Sequence, residues 1–326
     1  MDSLSVVQSP ILIELEEFKR LYDESLLSTN ILLNEVVTHL QQKEGKMMRP
    51  VLMLLTAKLY GNNTIRQKTF HAAISLELLH TASLLHDDVV DKSSERRGQP
   101  SVNALYGNKV AVLVGDYLLA TCLIQAEKVD NHAINKVILN LSKDLSEGEL
   151  LQLSTSGNSS FSEAIYFDII RKKTAALFRA CTQSAALSVD VNESNIRNAT
   201  LLGEYIGICF QIRDDIFDYF DNKAIGKPTG NDMLEGRLTL PVIYALNTVH
   251  NERAKEIALR VRNGLVSSEE IDELTEFAKR YKGIEYAQQI MNDYKTKAFA
   301  LLSDLPDTDV RNALRTYINY VVERKR

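Results

Sequence analysis

Apolar residues recur at helical spacing along almost the whole chain. After Ser9-Pro10, an N-cap residue followed by proline at the first helical position, Ile11, Leu12, Leu15, Phe18, Leu21 and Tyr22 mark a first amphipathic helix. Between Asn195 and Phe220 the apolar residues Leu201, Tyr205, Ile208, Ile212 and Ile216 follow a 4-3-4-4 spacing, which predicts one long helix with a continuous stripe. Breaks fall at Gly61-Asn62-Asn63, at Asp130-Asn131, in the polar run from Ser154 to Ser160, and before a capping box of Ser267 with Glu270. No segment alternates at period two for long enough to propose a strand. Several breaks are only two to eight residues long, as between antiparallel neighbours in a helical bundle. With no linker and no shift of composition, residues 1–326 read as a single all-α domain.

Composition sharpens this picture. Fourteen glycines and six prolines in 326 residues leave few breakers for the tight turns of an all-β fold. A formal charge of −5 with both signs interspersed offers no broad basic surface for nucleic acid, so anionic ligands need local basic clusters. Cys122, Cys181 and Cys209 lie far apart in apolar stretches and read as buried, reduced thiols. The chain starts MDSLSVVQSP, with no basic n-region, and no apolar run approaches the ~18 residues of a bilayer span. The expectation is a cytoplasmic protein with at most transient membrane contact.

The chemistry is carried by a repeated Asp-Asp-x-x-Asp pattern, Asp87-Asp88-Val89-Val90-Asp91 and Asp214-Asp215-Ile216-Phe217-Asp218, each at the end of a helical segment. On a helix the first and last acids of each pattern share a face and grip a cation from one side. Apolar neighbours place these acids near a core, where charge needs compensation. Aspartates without His or Cys partners suit a hard cation such as Mg²⁺, which takes a few carboxylates plus water and substrate phosphates. A di-iron bundle is the rival reading, because Glu77-Leu78-Leu79-His80 is a Glu-x-x-His, but the chain has no second such motif.

Basic residues stand close in sequence to the acids. Arg96-Arg97-Gly98 follows the first pattern, and Gly45-Lys46-Met47-Met48-Arg49-Pro50 precedes an apolar helix. Glycine lets the backbone approach an anion, arginine offers a planar fork, and lysine a point charge. His80, Ser83, Asp87 and Asp91 follow one stripe, Gln211 lies one turn before Asp214, and Lys172-Lys173-Thr174 sits on another helix. The loop-like segment Asp221–Arg237, with Lys227 among glycines, reads as a lid over phosphates.

In this order GKxxRP, LLHDDVVD, RRG, KT, FQIRDD and GKPTGND followed by TLP resemble the trans-isoprenyl diphosphate synthases, or polyprenyl synthetases, from about Lys46 to Pro241. The resemblance implies an isoprenoid synthase-type helical bundle around a deep central cavity, a homodimer, and usually three Mg²⁺ ions. It assigns Asp87, Asp91 and Asp214 to metal, with Asp88, Asp215 and Asp218 completing the catalytic set. It gives Arg96, Lys173, Thr174, Gln211 and Lys227 to an allylic diphosphate, and Lys46, Arg49, His80 and Arg97 to isopentenyl diphosphate. The implied reaction ionises the allylic C–O bond, adds isopentenyl diphosphate to the cation and loses a proton. Two departures are small: Glu44 stands where many members have glycine, and Arg237 where lysine is commoner.

In this family, bulky aromatic residues one turn before the first motif close the cavity floor of many short-chain enzymes. Ala82 and Ser83 are small there, so the resemblance implies a long-chain, octaprenyl-like product of about C30 to C50, with a floor at Leu118, Leu119 or Leu123. A farnesyl or geranylgeranyl synthase, a terpene cyclase and an inactive partner subunit are the alternatives. A cyclase carries an Asn/Ser/Glu pattern in place of the second aspartate motif, and an inactive subunit loses acids or basic residues that this sequence keeps.

Overall fold

The computed structural model describes residues 3–42, 45–96, 98–154, 161–220 and 230–324. Helix makes up 80% of the described residues. In chain order the helices are α1 (Ser3–Gln8), α2 (Leu12–Ser25), α3 (Ile31–Gln41), α4 (Met48–Tyr60), α5 (Gln67–Val90), α6 (Val102–Tyr106), α7 (Asn108–Lys128), α8 (His132–Ser154) and α9 (Glu163–Ile170). They continue as α10 (Ala176–Ser188), α11 (Glu193–Phe217), α12 (Asn231–Leu234), α13 (Leu240–Thr248), α14 (Glu252–Arg262), α15 (Ser268–Arg280), α16 (Gly283–Ser303) and α17 (Asp309–Glu323). A π-helical turn, Arg171–Ala175, joins α9 to α10.

Two compact units divide the chain. One takes Met1–Lys143, Leu177–Gly203 and Asp304–Tyr317, the other Asp144–Ala176, Glu204–Ser303 and Ile318–Arg326. In the first unit α4 is buried continuously from Val51 to Ala57, a helix apolar on every side. Ala72, Ala73, Ile74, Leu76, Leu78 and Leu79 sink the middle of α5 into the same core. Against it lies α7, and Gly115 sets how close: a Cβ there would run into the imidazole of His86. In the second unit Ile206, Ile208, Cys209, Ile212 and Ile216 of α11 are buried. There α15 starts from the expected capping box, Ser267 with Glu270.

Four details differ from the sequence expectation. Helix begins at Ser3, and Pro10 sits in a 3₁₀ turn, Ser9–Ile11, between α1 and α2, because proline is tolerated wherever its missing N–H is not needed. A short strand pair, β1 (Glu95–Arg96) with β2 (Gln99–Pro100), forms directly after the first aspartate motif, so Arg96 stands on a hairpin and not on a helix end. Leu201 is exposed, and the buried stripe of α11 runs through Leu202 in its place. Lastly, α7 is long and apolar enough to cross a membrane by length and composition, with mean hydropathy 1.5. Asp116 interrupts its apolar run, which hid it from a reading of uninterrupted runs. Only 44% of its apolar window is buried, and Val112, Leu113, Leu123 and Ile124 are exposed along it.

Candidate active site

The first aspartate motif closes α5 and belongs to the first unit. Asp91 is the C-cap residue, its N–H bonded to the Asp87 carbonyl at 2.7 Å. The exposures invert the simple helical picture: Asp88 is buried, Asp87 half-buried and Asp91 exposed. Arg96 answers the buried acid from β1. Its Nε donates to both oxygens of Asp88 at 2.8 Å, and its second guanidine nitrogen to Oδ1 at 2.6 Å. Such a charge-assisted fork is strong and directional. The loop between is fixed as well, because Asn103 donates to the carbonyls of Asp88 and Ser93 at 3.2 and 3.0 Å.

Other expected residues of the first unit gather on α4 and α5. Lys46 is exposed ahead of α4, whose entry at Met47 takes a left-handed backbone with φ of 47°. Arg49 lies against the Phe178 ring at 5.4 Å, and its buried Nε has no hydrogen-bond partner among the described residues. His80 and Ala82 are buried, and Ser83 turns its hydroxyl to the His80 carbonyl at 2.9 Å.

The second motif closes α11 in the second unit. Each acid has a different environment. Asp214 receives Arg324 at 2.7 Å, and that guanidinium also stacks on Phe210 at 3.8 Å. Asp215, fully inside, accepts from the Tyr166 hydroxyl at 2.6 Å and from the Gln211 amide at 2.7 Å. Asp218 accepts the backbone N–H groups of Asn231 and Asp232 at 2.9 and 3.0 Å, so it clasps the start of α12. Burial, and after it the nearby Asp232, pushes the Asp215 carboxyl up to about 8 and Asp218 up to about 6.

The π-helical turn presents Lys173 and Thr174, an interruption frequent at functional sites. Lys173 pairs with Glu149 and donates to Gln152 at 3.1 Å. Thr174 donates to Gln211 at 2.6 Å. Gly148 makes room for this turn, since a Cβ there would lie 2.9 Å from side-chain carbons of Lys172 and Lys173. Arg97 and Lys227 lie outside the described residues. Sequence reasoning missed the roles of Tyr166, Glu149, Asp232 and Arg324, of which only Asp232 stands within a motif used. Asp232 was visible in GKPTGND as an acid beside two glycines, but nothing in its spacing tied it to Asp215 or Asp218.

These residues can bind a hard cation and an anionic ligand. Among the described residues no three His, Cys, Asp or Glu side chains converge into a ready ligand cluster, which suits an ion completed by water and substrate phosphate. The acids of the second motif fit a cation on electrostatic grounds, because carboxyls held up by burial and by each other ionise more readily beside positive charge. The three cysteines are free and buried, and burial pushes their thiols up to about 12, so they take no part.

Comparison with known proteins agrees with this chemistry. A crystal structure of geranylgeranyl pyrophosphate synthase from Bacteroides thetaiotaomicron is 55% identical, with a TM-score of 0.88, covering 99% of this chain and 100% of that one. A polyprenyl synthase from Caulobacter crescentus, crystallised with calcium and isoprenyl diphosphate, is 29% identical with a TM-score of 0.91, covering 99% of this chain and 98% of that one. The heptaprenyl diphosphate synthase component 2 of Geobacillus stearothermophilus is 36% identical over 293 residues, 90% of each chain. The polyprenyl synthetase family model matches residues 30–278, and the chain belongs to that family of prenyltransferases.

Proposed function

We propose that the enzyme condenses isopentenyl diphosphate with an allylic prenyl diphosphate to give an all-trans polyprenyl diphosphate. The observation that carries this is the pair of aspartate motifs, each closing a long helix with a buried acid. Asp87, Asp91 and Asp214 would hold Mg²⁺, three ions in all, which stabilise charge on the departing pyrophosphate. Calcium with isoprenyl diphosphate on the Caulobacter enzyme supports a divalent ion here. Arg96, Lys173, Gln211 and Lys227 would hold the allylic diphosphate, with Asp88 orienting Arg96. Lys46, Arg49, His80 and Arg97 would hold isopentenyl diphosphate, a role that the unpartnered Nε of Arg49 supports. None of these side chains is needed as a base, because the released pyrophosphate can accept the proton.

The product is proposed to be long, about C30 to C50, since Ala82 and the half-buried Ser83 are both small one turn before the motif. Of the expected floor residues, Leu118 is buried, whereas Leu123 is exposed and takes no part in an interior floor. The named heptaprenyl relative supports this length. A second reading, a C20 product, is favoured by the 55% identical geranylgeranyl relative. Chromatography of the product from labelled isopentenyl diphosphate decides between them. Ala82→Phe is expected to shorten the native product by at least one C5 unit, and an unchanged length would remove the cavity argument.

The chain is proposed to act as one domain, because both units draw on discontinuous segments. It is proposed to be a homodimer in the cytoplasm, a second copy covering the exposed apolar residues of α7. Sedimentation as a 36.7 kDa monomer at working concentration would overturn the dimer.

A further inference from the structure

Tyr166 belongs to none of the aspartate or basic motifs, yet its hydroxyl ends a relay through three segments of the second unit. The side chain is 6% exposed and Asp215 2% exposed. From α9 the hydroxyl donates to Oδ2 of Asp215 at 2.6 Å. Nε2 of Gln211 donates to the other oxygen, Oδ1, at 2.7 Å. Oε1 of Gln211 then accepts from the Thr174 hydroxyl at 2.6 Å.

The direction of each bond follows from the donor inventory. An amide nitrogen only donates, so Gln211 gives a hydrogen to Oδ1 of Asp215, and the Tyr166 hydroxyl gives its own to Oδ2. Gln211 therefore turns its NH₂ toward Asp215 and its carbonyl toward Thr174. Thr174 has one hydroxyl proton, and the relay uses it. A phosphate oxygen arriving beside this relay meets the second Nε2 hydrogen of Gln211 and no hydroxyl proton from Thr174.

We infer that Tyr166 and Thr174 are positioning residues, one at each end of the relay, which together fix the Gln211 amide for the allylic diphosphate. The terminal torsion of glutamine is broad and nearly two-fold, so an amide held at one end only would turn. Asp215 holds one end and is itself held by Tyr166; Thr174 holds the other. The inference rests on the proposed role of Gln211 in binding diphosphate, and it reassigns Thr174 from a phosphate donor to a support of Gln211.

The test is a double-mutant cycle of Y166F and T174V, with the allylic and the isopentenyl substrate varied separately. Each single variant is expected to raise the allylic KM about tenfold while the isopentenyl KM stays within about twofold. The double variant is expected to match the worse single one, because both act through Gln211. Multiplied effects, about a hundredfold in the double variant, would mean that Thr174 touches phosphate itself and would overturn the inference. So would a Y166F enzyme of lowered Tm whose two KM values are unchanged, the result of a purely structural tyrosine. Should Y166F fail to fold, Y166M takes its place, a side chain of similar reach with no hydroxyl: a selective rise in allylic KM supports the relay, and an equal rise in both, or none, overturns it. Wild-type enzyme that turns over neither substrate would overturn the reaction reading as well, whereas wild-type turnover with an unaltered allylic KM in both variants overturns the relay alone.

Discussion

The two aspartate motifs are the same five-residue pattern on the same kind of helix end, and their middle acids are both buried, yet the chain compensates them differently. Asp88 faces a guanidinium, the forked Arg96 contributed by a hairpin eight residues on. Asp215 has two neutral donors, Tyr166 and Gln211, with Asp232 adding repulsion. The outer acids differ as well. Asp91 ends its helix exposed, whereas Asp218 spends both oxygens on backbone N–H groups. A sequence motif thus specifies which groups are present, and the surroundings decide whether each acid is neutralised, clasped or left demanding positive charge. The buried acid of the first motif is compensated from within the chain by a guanidinium, and that of the second is built to be completed by a cation.

The largest expected effect is loss of turnover. Asp87→Ala and Asp214→Ala should each lower kcat by about 10²–10³, the scale of removing one preorganised charge from a transition state. Circular dichroism should show both helical folds intact. The comparison predicts a difference in stability, because Asp214→Ala removes the carboxylate facing Arg324, whose side chain is only 11% exposed. Its Tm should fall below that of the wild-type enzyme. Near-normal kcat in either variant would remove that motif from the chemistry, and equal Tm values would show that Arg324 is held by Phe210 alone.

A smaller effect separates the buried acids. Arg96→Ala leaves Asp88 inside without its guanidinium and should destabilise the fold by about 2–3 kcal/mol in urea unfolding, since a buried charge loses its partner. Arg96→Lys should recover part of this, because a point charge replaces a fork. An unchanged unfolding midpoint in Arg96→Ala would mean that Asp88 finds other compensation, and the contrast between the motifs would lose its first half.

Much of this was legible in the chain, and the gaps have physical causes. Helical periodicity located the end of α11 at the second motif and the start of α15 at Ser267, since both depend on neighbours within one or two turns. Family order then named Arg96, Lys173, Thr174 and Gln211 as a set. What stayed hidden is tertiary. Glu149 reaches Lys173 across 24 positions, Tyr166 reaches Asp215 across 49, and Arg324 reaches Asp214 across 110. No local pattern registers such pairs. The hairpin at Arg96 escaped for the opposite reason: two-residue strands are too short to show alternation.

The smallest expected effect is a pH slope that belongs to the second motif. Against an ordinary carboxyl near 3.8, burial and Asp232 hold Asp215 up to about 8 and Asp218 up to about 6. Above about pH 4 the unfolded chain has released protons that the native state still keeps, so raising the pH favours unfolding. The stability tied to these two acids is complete below the unfolded value, declines as pH passes about 6 and then about 8, and is gone above that. Protein melted in a chelator should therefore have a Tm lower by a few degrees at about pH 8.5 than at about pH 6. Saturating Mg²⁺ should shrink this difference, because a cation stabilises the ionised acids and binds only the native arrangement. Asp218→Asn should flatten the slope between about pH 4 and 6 and leave the part from about 6 to 8, which belongs to Asp215. A Tm that stays level or rises from about pH 6 to 8.5 in chelator, or a slope below about pH 6 that is unchanged in Asp218→Asn, would mean that the acids buried in the second motif are compensated as fully as Asp88 in the first.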